Sequence, residues 1–309
     1  MRLYYFFCIV KRFLYILLVF ISSTGNAQLL DNSKGNAFSS IPFFNESFIK
    51  NNHIKGLHGN FSNKKIGDRI RGSEYIYEYK FDENGRLTYS LETKPSFSNT
   101  VDTLILFYGY DDKGNLSYIR QKDYRGYWST HYTYDDENRK IKEEYRRDID
   151  TISDDILSPS FERSTVLNFE TMKYQVDQNQ TKMTRYNNYN FPYIEEIYQY
   201  NSDGYLIKKE EKLKMTSQST FTTYEYTDKG WLARITTETP KNPNSNQEVQ
   251  FKYDDAGNLT EKQIFKHGVH QTEIQLIYNS KTGLISYILT RDVPSNFISI
   301  LKFDKYDYY

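Results

Sequence analysis

Three acidic pairs recur along the chain and are the first candidates for chemistry: Asp111-Asp112, Asp135-Asp136 and Asp254-Asp255. Two carboxylates at a fixed separation can perform general acid–base catalysis on a glycosidic bond, and carboxylate oxygens also bind calcium. Each pair, however, occupies the same place in a repeated turn, where a carboxylate accepts backbone hydrogen bonds. Calcium also needs six or more oxygens that converge from several segments. We therefore interpret these aspartates as turn residues and predict neither catalytic residues nor a metal site.

Two histidines, His267 and His270, are close enough in sequence to face one metal ion. Zinc needs three or four ligands, and no third one stands nearby in the sequence. The pair also lies where the chain is expected to turn. No nucleophile elbow, phosphate-binding loop or His-Glu-x-x-His motif occurs, so we predict no cofactor.

Aromatic residues are the third group with chemical potential, with 30 Tyr and 20 Phe beside two Trp. Aromatic rings pack a sheet core when buried, and an exposed strip of them can stack on sugars or peptides. We predict core positions for tyrosines just before turns, namely Tyr79, Tyr110, Tyr134, Tyr200, Tyr226 and Tyr253. We predict exposed, ligand-binding positions for aromatics near connections or just past turns, namely Trp128, Trp231, Tyr124, Tyr127 and Tyr205.

The elements that position these residues are seven copies of an aromatic–acidic–turn pattern. The turn glycines 204, 230, 257 and 283 are 26, 27 and 26 residues apart. Apolar and polar residues alternate before each turn, which indicates one face of a strand. The glycine suits the left-handed position of a type I turn with a bulge, and Asn138 takes that position in the third copy. Each copy therefore predicts one hairpin.

Two stretches depart from the repeat. Residues 148–193 break the register, and we predict a degenerate hairpin there with a turn at Asn190-Phe191-Pro192. Residues 240–246 contain two prolines and predict a longer loop between two copies. We predict one repeat domain over residues 70–309, preceded by a leader, residues 28–69, that docks on the first hairpin.

The motif Tyr-Asp-x-x-Gly-x-Leu at 110–116 and 253–259 resembles the YD repeat of Rhs-type bacterial proteins. The resemblance covers roughly residues 70–309 and implies antiparallel sheets that spiral or close into a shell. Only the first copy carries the Gly85-Arg86-Leu87 core, no Asp-Pro dipeptide occurs, and the self-cleavage motif and toxin tip are absent. The chain looks closest to small secreted YD-repeat proteins of unassigned function. The expected fold is all-β, with tandem antiparallel hairpins in one long twisted, curled sheet.

The first 27 residues predict export. Arg2, Lys11 and Arg12 precede an apolar run over residues 13–21, and small residues then lead to a cleavage site before Gln28. An uncleaved anchor is the alternative, because residues 3–10 are also apolar. The only cysteine, Cys8, lies in this segment, so the mature chain is predicted to have no disulfide.

The number and placement of charged residues argue against a nucleic-acid binder and against an outer-membrane barrel. The chain has 40 basic and 40 acidic residues, whereas an electrostatic nucleic-acid binder has a basic excess. A barrel in the outer membrane needs a lipid-facing apolar row on every strand, and residues 208–212 (Lys-Lys-Glu-Glu-Lys), together with Lys305 and Asp307, argue against one.

The predicted function is that of a non-enzymatic protein of the periplasm, outer surface or extracellular space. It would bind an envelope protein or a glycan along its sheet, because repeat arrays present extended surfaces. Two alternatives stay open. One is a polysaccharide-acting enzyme with turn carboxylates gathered at one rim, and the other is an Rhs-like encapsulating shell.

Overall fold

The computed structural model describes residues 28–95, 101–123, 125–150 and 161–309. The predicted signal peptide, residues 1–27, lies outside the described residues. Within the described ranges the chain forms eighteen strands, one short helix and a 3-10 turn at Pro243–Ser245. In chain order the helix and strands are α1 (Glu46–Asn51), β1 (Ile54–Lys64), β2 (Arg71–Phe81), β3 (Leu87–Pro95), β4 (Val101–Tyr110), β5 (Leu116–Asp123), β6 (Gly126–Tyr134), β7 (Lys140–Asp150), β8 (Phe161–Asp177), β9 (Gln180–Tyr186), β10 (Pro192–Tyr200), β11 (Leu206–Leu213), β12 (Gln218–Tyr226), β13 (Leu232–Glu238), β14 (Gln247–Tyr253), β15 (Leu259–Lys266), β16 (Val269–Tyr278), β17 (Ile285–Asp292) and β18 (Phe297–Tyr308).

The strands close into a barrel. Each pairs antiparallel with its neighbours in the chain, and β1 also pairs with β18, with Leu57 opposite Tyr306 and Phe61 opposite Leu301. The prediction of antiparallel hairpins is therefore confirmed, whereas the predicted long twisted, curled sheet is corrected to a closed barrel of eighteen strands. The ring closes through β1, which comes from the stretch predicted as a leader and lies outside the repeat. Closure leaves no unpaired sheet edge.

The repeated turns have the predicted chemistry. Asp111 Oδ1 accepts hydrogen bonds from the backbone N–H of Lys113 (3.0 Å) and Asn115 (2.8 Å). The predicted turn glycines from Gly85 to Gly283 have φ between 70° and 87°, and Asn138 has φ 58°. The register shifts by one residue beside these turns, as between Gly109 and Tyr110. The interpretation of the acidic residues as turn residues is confirmed.

An eighth copy of the turn lies in the irregular stretch. Asn187 Oδ1 accepts from the N–H groups of Tyr189 and Phe191 at 3.0 Å each, and Asn190 has φ 61°. The predicted turn at 190–192 therefore lies slightly earlier, at 187–190. The sequence pattern did not reveal this copy, because Asn187 replaces the acid and Asn190 replaces the glycine.

A tyrosine at or near the end of seven of the described strands has a second role besides packing. Its hydroxyl donates to the backbone carbonyl of the first residue of a return strand in an earlier hairpin. This hydrogen bond links neighbouring hairpins through a carbonyl close to a bulge, and a buried carbonyl needs such a partner. We call this series the tyrosine ladder. Its members are Tyr110 to Leu87 (2.8 Å), Tyr134 to Leu116 (2.9 Å), Tyr174 to Lys140 (2.8 Å), Tyr226 to Leu206 (2.9 Å), Tyr253 to Leu232 (2.8 Å), Tyr278 to Leu259 (2.7 Å) and Tyr306 to Ile285 (2.5 Å).

Residues 28–53, here called the plug, lie inside the barrel. Apolar plug residues share one buried cluster with residues of β13–β18 and β1–β4, which are ten neighbouring strands of the ring. Only the concave side of a closed sheet lets one short segment contact so many strands. The plug residues in this cluster are Leu29, Leu30, Ala37, Phe43, Phe44, Phe48 and Ile49.

The plug is held at the turn end of the barrel. A Cβ on Gly85 would lie 2.1 Å from the carbonyl oxygen of Glu46, so α1 rests directly on the first repeat turn. Lys262 Nζ donates to the carbonyl of Ala37 at 2.8 Å from the barrel wall. Burial lowers the pKa of this lysine, because the charged ammonium loses water there.

The outer face carries cross-strand ion pairs. Examples are Lys252 Nζ–Glu261 Oε1 at 2.9 Å and Lys182 Nζ–Glu195 Oε2 at 2.8 Å. Charged stems cover the sheet while their heads stay in water. Of the helices in the described ranges, none combines the length and apolar character needed to cross a membrane.

Candidate functional site

One position of the repeat, directly after the turn glycine or its asparagine substitute, decides the character of the turn end. In four copies it holds Arg or Asn, which binds the carboxylate of its own turn. Arg86 Nε donates to Asp82 Oδ2 at 2.8 Å, and Asn258 Nδ2 donates to Asp254 Oδ2 at 2.9 Å. The Arg86 guanidinium also covers the ring of Tyr110, with 4.8 Å between Cζ and the ring centroid.

Three successive copies place an aromatic residue there instead, namely Phe191, Tyr205 and Trp231, and the last copy holds Leu284. Tyr205 packs on Tyr226 with 4.8 Å between ring centroids, and Trp231 packs on Tyr253 at 5.4 Å. These copies also lack the turn carboxylate, since their turns open with Asn187, Asn201 and Thr227. Around Tyr205 and Trp231, two aromatic pairs thus stand side by side where four other copies have a polar pair.

These pairs line a cavity of about 340 Å³ at the turn end, here called the rim pocket. The wall consists of the four rings together with Tyr200. The start of the plug supplies polar groups on the opposite side: Gln28, Asp31, Asn32, Ser33 and Lys34. Flat rings opposed by amide, carboxylate and ammonium groups suit a ligand that has both apolar faces and hydroxyl groups.

Two glycines allow the rings to stand where they do. A Cβ on Gly230 would lie 2.3 Å from the Tyr205 hydroxyl oxygen, and one on Gly257 would lie 2.6 Å from the Trp231 ring. Both residues also have positive φ, at 80° and 87°. The turn conformation and the close approach of the rings therefore require the same glycines.

The rings of the rim pocket are fixed by hydrogen bonds and charge. The Tyr253 hydroxyl donates to Leu232 and accepts from Asn32 Nδ2 at 3.0 Å, which ties the pocket wall to the plug. Burial raises the pKa of Tyr253 to about 12, so this hydroxyl keeps its proton at neutral pH. Lys229 Nζ lies 4.8 Å from the centroid of the Trp231 ring, within range of a cation–π interaction.

The structure brings together two of the five predicted ligand-binding residues, Trp231 and Tyr205. Trp128 lies elsewhere, stacked on Tyr145 with 5.7 Å between centroids and with the Arg147 guanidinium 4.1 Å from its ring. Tyr127 is 7% exposed and packs edge-on against Phe161, so its predicted exposure is wrong. Tyr124 lies outside the described residues. The rim residues that the sequence reasoning missed are the plug residues, which carry no repeat signal.

A second polar region lies on the inner wall of β8–β11. Register places Glu196 and Lys209 on the same face as the ladder residue Tyr174. Glu196 is 3% exposed and accepts from Lys209 Nζ at 2.8 Å and from the Tyr198 hydroxyl at 2.6 Å. Burial alone raises the pKa of Glu196, but these two hydrogen bonds outweigh it and the net shift is downward. The Tyr193 hydroxyl donates to Glu170 in the same region.

Of the two histidines considered as metal ligands, His267 belongs to a turn and His270 lies in β16. His267 and Gly268 have φ 52° and 74°, which makes the tight connection between β15 and β16. His270 stacks on Phe265 with 4.7 Å between centroids. Over the ranges that the structure describes, no three His, Cys, Asp or Glu side chains converge as metal ligands.

Comparison with known proteins gave fold-level matches alone. No family model matches the chain, and no curated protein matches it. Similar solved structures include a porin-like protein from Bacteroides uniformis (10% identity, 81% of this chain, 98% of that chain, TM-score 0.38). A porin-like protein from Bacteroides vulgatus also matches (9% identity, 81% and 97%, TM-score 0.29). A third match is the Tc holotoxin pore of Photorhabdus luminescens, with 11% identity over 74% of this chain and 19% of that chain (TM-score 0.17).

These comparisons correct the predicted kinship with YD-repeat proteins. No family model matches, a YD-repeat model included, and the strands close into a ring through β1, which lies outside the repeat. The repeated hairpins are real, but the family assignment drawn from them is wrong. The motif Tyr-Asp-x-x-Gly does not identify the family, because it reflects the conformation of a bulged hairpin turn. Unrelated sheets contain the same kind of turn.

Proposed function

We propose that this protein is a non-enzymatic binding protein of the cell envelope whose rim pocket holds a saccharide. The observation that carries the proposal is the pair of aromatic residues, Tyr205 and Trp231, that line the rim pocket at the position where four other copies have a polar pair. A sugar presents C–H groups on its ring faces and hydroxyl groups on its edges. The rings would stack on the faces, and Asp31, Asn32 and Lys34 would meet the edges.

Three features support this proposal. The hydroxyl of Tyr253 is held between Leu232 and Asn32, so the wall is rigid before ligand arrives, and a preformed wall loses less entropy on binding. The predicted export signal favours an envelope location. The turn carboxylates already accept hydrogen bonds within their own turns, which leaves the enzyme alternative without a supporting contact.

The encapsulating-shell alternative was based on the Rhs resemblance and loses its support with the correction of that resemblance. The surface proposed for binding also changes, from an extended sheet face to one end of a closed barrel. A pocket of this size takes about one or two sugar rings, as an order of magnitude for small-molecule sites.

The test is a titration of the mature protein, from Gln28 onward, with a panel of envelope oligosaccharides, followed by tryptophan fluorescence and calorimetry. Trp231→Leu should weaken binding by about 10- to 100-fold, because stacking on one aromatic ring contributes roughly 1–3 kcal/mol. Trp128→Leu is the matched control, since this tryptophan lies outside the pocket. Equal affinity of the Trp231→Leu variant and the native protein for every bound saccharide would disprove the proposal.

A further inference from the structure

A second cavity, separate from the rim pocket, lies inside the barrel next to the plug residue Phe38. Its volume is about 220 Å³, and β1, β2, β3, β16, β17 and β18 supply its other walls. Three further aromatic rings line it, those of Phe61, Tyr77 and Tyr79. The centroids of Phe61 and Tyr77 are 6.2 Å apart, and those of Tyr77 and Tyr79 are 4.8 Å apart.

A single carboxylate, Glu92, lines the same cavity. It stands directly opposite Tyr77 in the pairing of β2 with β3. Among the described residues, Glu92 forms no hydrogen bond and no ion pair within 4 Å. The cation that acts on it is Lys94, two residues further along β3. A carboxylate without a direct partner beside four rings is costly for a structural role, because the desolvated charge destabilises the fold.

Burial has a measurable consequence for this carboxylate. It raises the pKa of Glu92, and the opposing influence of Lys94 is weaker. The protein therefore stabilises the ionised form of Glu92 less than water does. A ligand cation in the cavity would supply the missing charge.

We propose that this cavity, the aromatic cage, binds a small organic ammonium ion. The faces of the rings carry negative electrostatic potential and attract a cation whose charge is spread over methyl groups. Glu92 adds a full negative charge on one side, and the apolar walls favour methyl groups over a hydrated metal ion. The hydroxyl groups of Thr290 and Ser299, which also line the cavity, suit a hydroxyl or ether group on the same ligand.

This inference does not depend on the proposed saccharide site. The two cavities share no lining residue, and the cage is formed mainly by the half of the barrel around the β1–β18 seam. Changes at Trp231 should leave ammonium binding unchanged. Failure of one proposal therefore leaves the other standing.

The experiment is calorimetric titration of the mature protein with choline and with 3,3-dimethylbutan-1-ol, the neutral analogue of the same shape. Choline should bind at least about tenfold more tightly than the alcohol, because only choline carries the charge. Equal binding of the two, or no choline binding at millimolar concentration, would overturn the proposal. This comparison uses the native protein and requires no variant to fold.

Variants then locate the site. Glu92→Gln should weaken choline binding about tenfold or more and leave binding of the alcohol unchanged. Glu74→Gln, at an exposed position of β2, is the matched control and should change neither. Choline affinity that is the same in Glu92→Gln and the native protein would refute the assignment to this cavity.

Free choline and a lipid head group offer the same ammonium chemistry. A second arm therefore mixes the protein with phosphatidylcholine vesicles and with phosphatidylglycerol vesicles and measures co-sedimentation. Binding of free choline without vesicle association supports a soluble ligand. Association with phosphatidylcholine vesicles alone, competed by choline, supports the head group as the source.

Discussion

At the scale of single residues, tyrosine hydroxyl groups and buried charges are expected to contribute to the stability of the fold in addition to aromatic packing. Six tyrosines were predicted as core residues, four of them members of the ladder, and their packing agrees with that prediction in part. Tyr79 is buried at 4% exposure, whereas Tyr110, Tyr226 and Tyr253 are half-buried and use their hydroxyl groups. A tyrosine is needed there rather than a phenylalanine because a backbone carbonyl near the bulge needs a donor.

The ladder predicts a graded effect of hydroxyl removal. Tyr253→Phe loses both the bond to Leu232 and the one from Asn32, and should lower the free energy of unfolding by about 1–3 kcal/mol. Tyr226→Phe loses only the bond to Leu206 and should cost roughly 1 kcal/mol. Urea unfolding measures both. Tyr189→Phe, at a position that is 76% exposed, serves as the control and should be neutral. A neutral Tyr253→Phe would contradict the structural role of the ladder.

Of the substitutions proposed here, removal of the buried carboxylate of Glu196 is expected to lower the free energy of unfolding strongly. Glu196→Ala removes the buried partner of Lys209 on the inner wall and leaves that ammonium only the longer contact with Glu211 at 3.3 Å, which should cost up to about 3–5 kcal/mol. Glu195→Ala is the matched control, since this neighbour faces outward and pairs with Lys182 at the surface. It should cost under about 1 kcal/mol. Similar unfolding midpoints in urea for the two variants would show that the inner pair does not stabilise the fold.

The lowered pKa of Glu196 also predicts that the stability of the fold decreases at acidic pH. The pKa of Glu196 in the folded state lies below its usual value of 4.5, so folding favours the ionised form. The stabilisation is therefore complete above pH 4.5 and is lost as pH falls through the lower folded pKa. Thermal unfolding of Glu196→Gln between pH 3 and pH 6 should show a smaller loss of stability on acidification than the native protein. An unchanged slope would assign the acid sensitivity to other carboxylates.

At the scale of elements, the turn is the unit that the sequence encodes most directly. The residue that opens it with a side-chain oxygen, and the left-handed residue that ends it, are both local requirements. They hold in every predicted copy and in the additional one at residues 187–190. Strand ends follow from these turns within a few residues.

Substitutions at Gly114 test the effect of backbone strain without steric crowding. Its φ is 86°, and a Cβ there would have no atom within 4 Å, so substitution costs only the strain of the left-handed conformation. Gly114→Val should lower stability by about 1–3 kcal/mol, whereas Gly114→Asn should cost much less, because asparagine tolerates this conformation. Chemical denaturation of the two variants checks the difference. A stable Gly114→Val variant would count against the turn assignment.

At the scale of the whole molecule, the plug and the barrel form one hydrophobic core. The residues of the plug pack against ten strands, so the segment is expected to unfold together with the barrel. This arrangement also builds both candidate sites, since the plug supplies Asp31 and Lys34 to the rim pocket and Phe38 to the aromatic cage.

A substitution in the plug tests this coupling. Ile49 is fully buried, and Ile49→Ala should lower the midpoint of the whole unfolding transition by the equivalent of about 2–5 kcal/mol. Ile41→Ala, in the same segment but 45% exposed, should have little effect. Circular dichroism and tryptophan fluorescence should report one common transition. A normal barrel transition in Ile49→Ala would show that the plug is an independent unit.

The sequence by itself determined the local structure of this protein: the all-β class, the hairpins, the turn chemistry and the aromatic position after the glycine that holds Tyr205 and Trp231. These features follow from contacts between residues close in the chain. Tertiary structure alone decided that the ring closes, because the pairing of β1 with β18 joins segments more than 200 residues apart. It also decided that residues 28–53 fill the lumen and complete both cavities. No local pattern encodes such contacts, since burial of a segment depends on the whole surface that receives it.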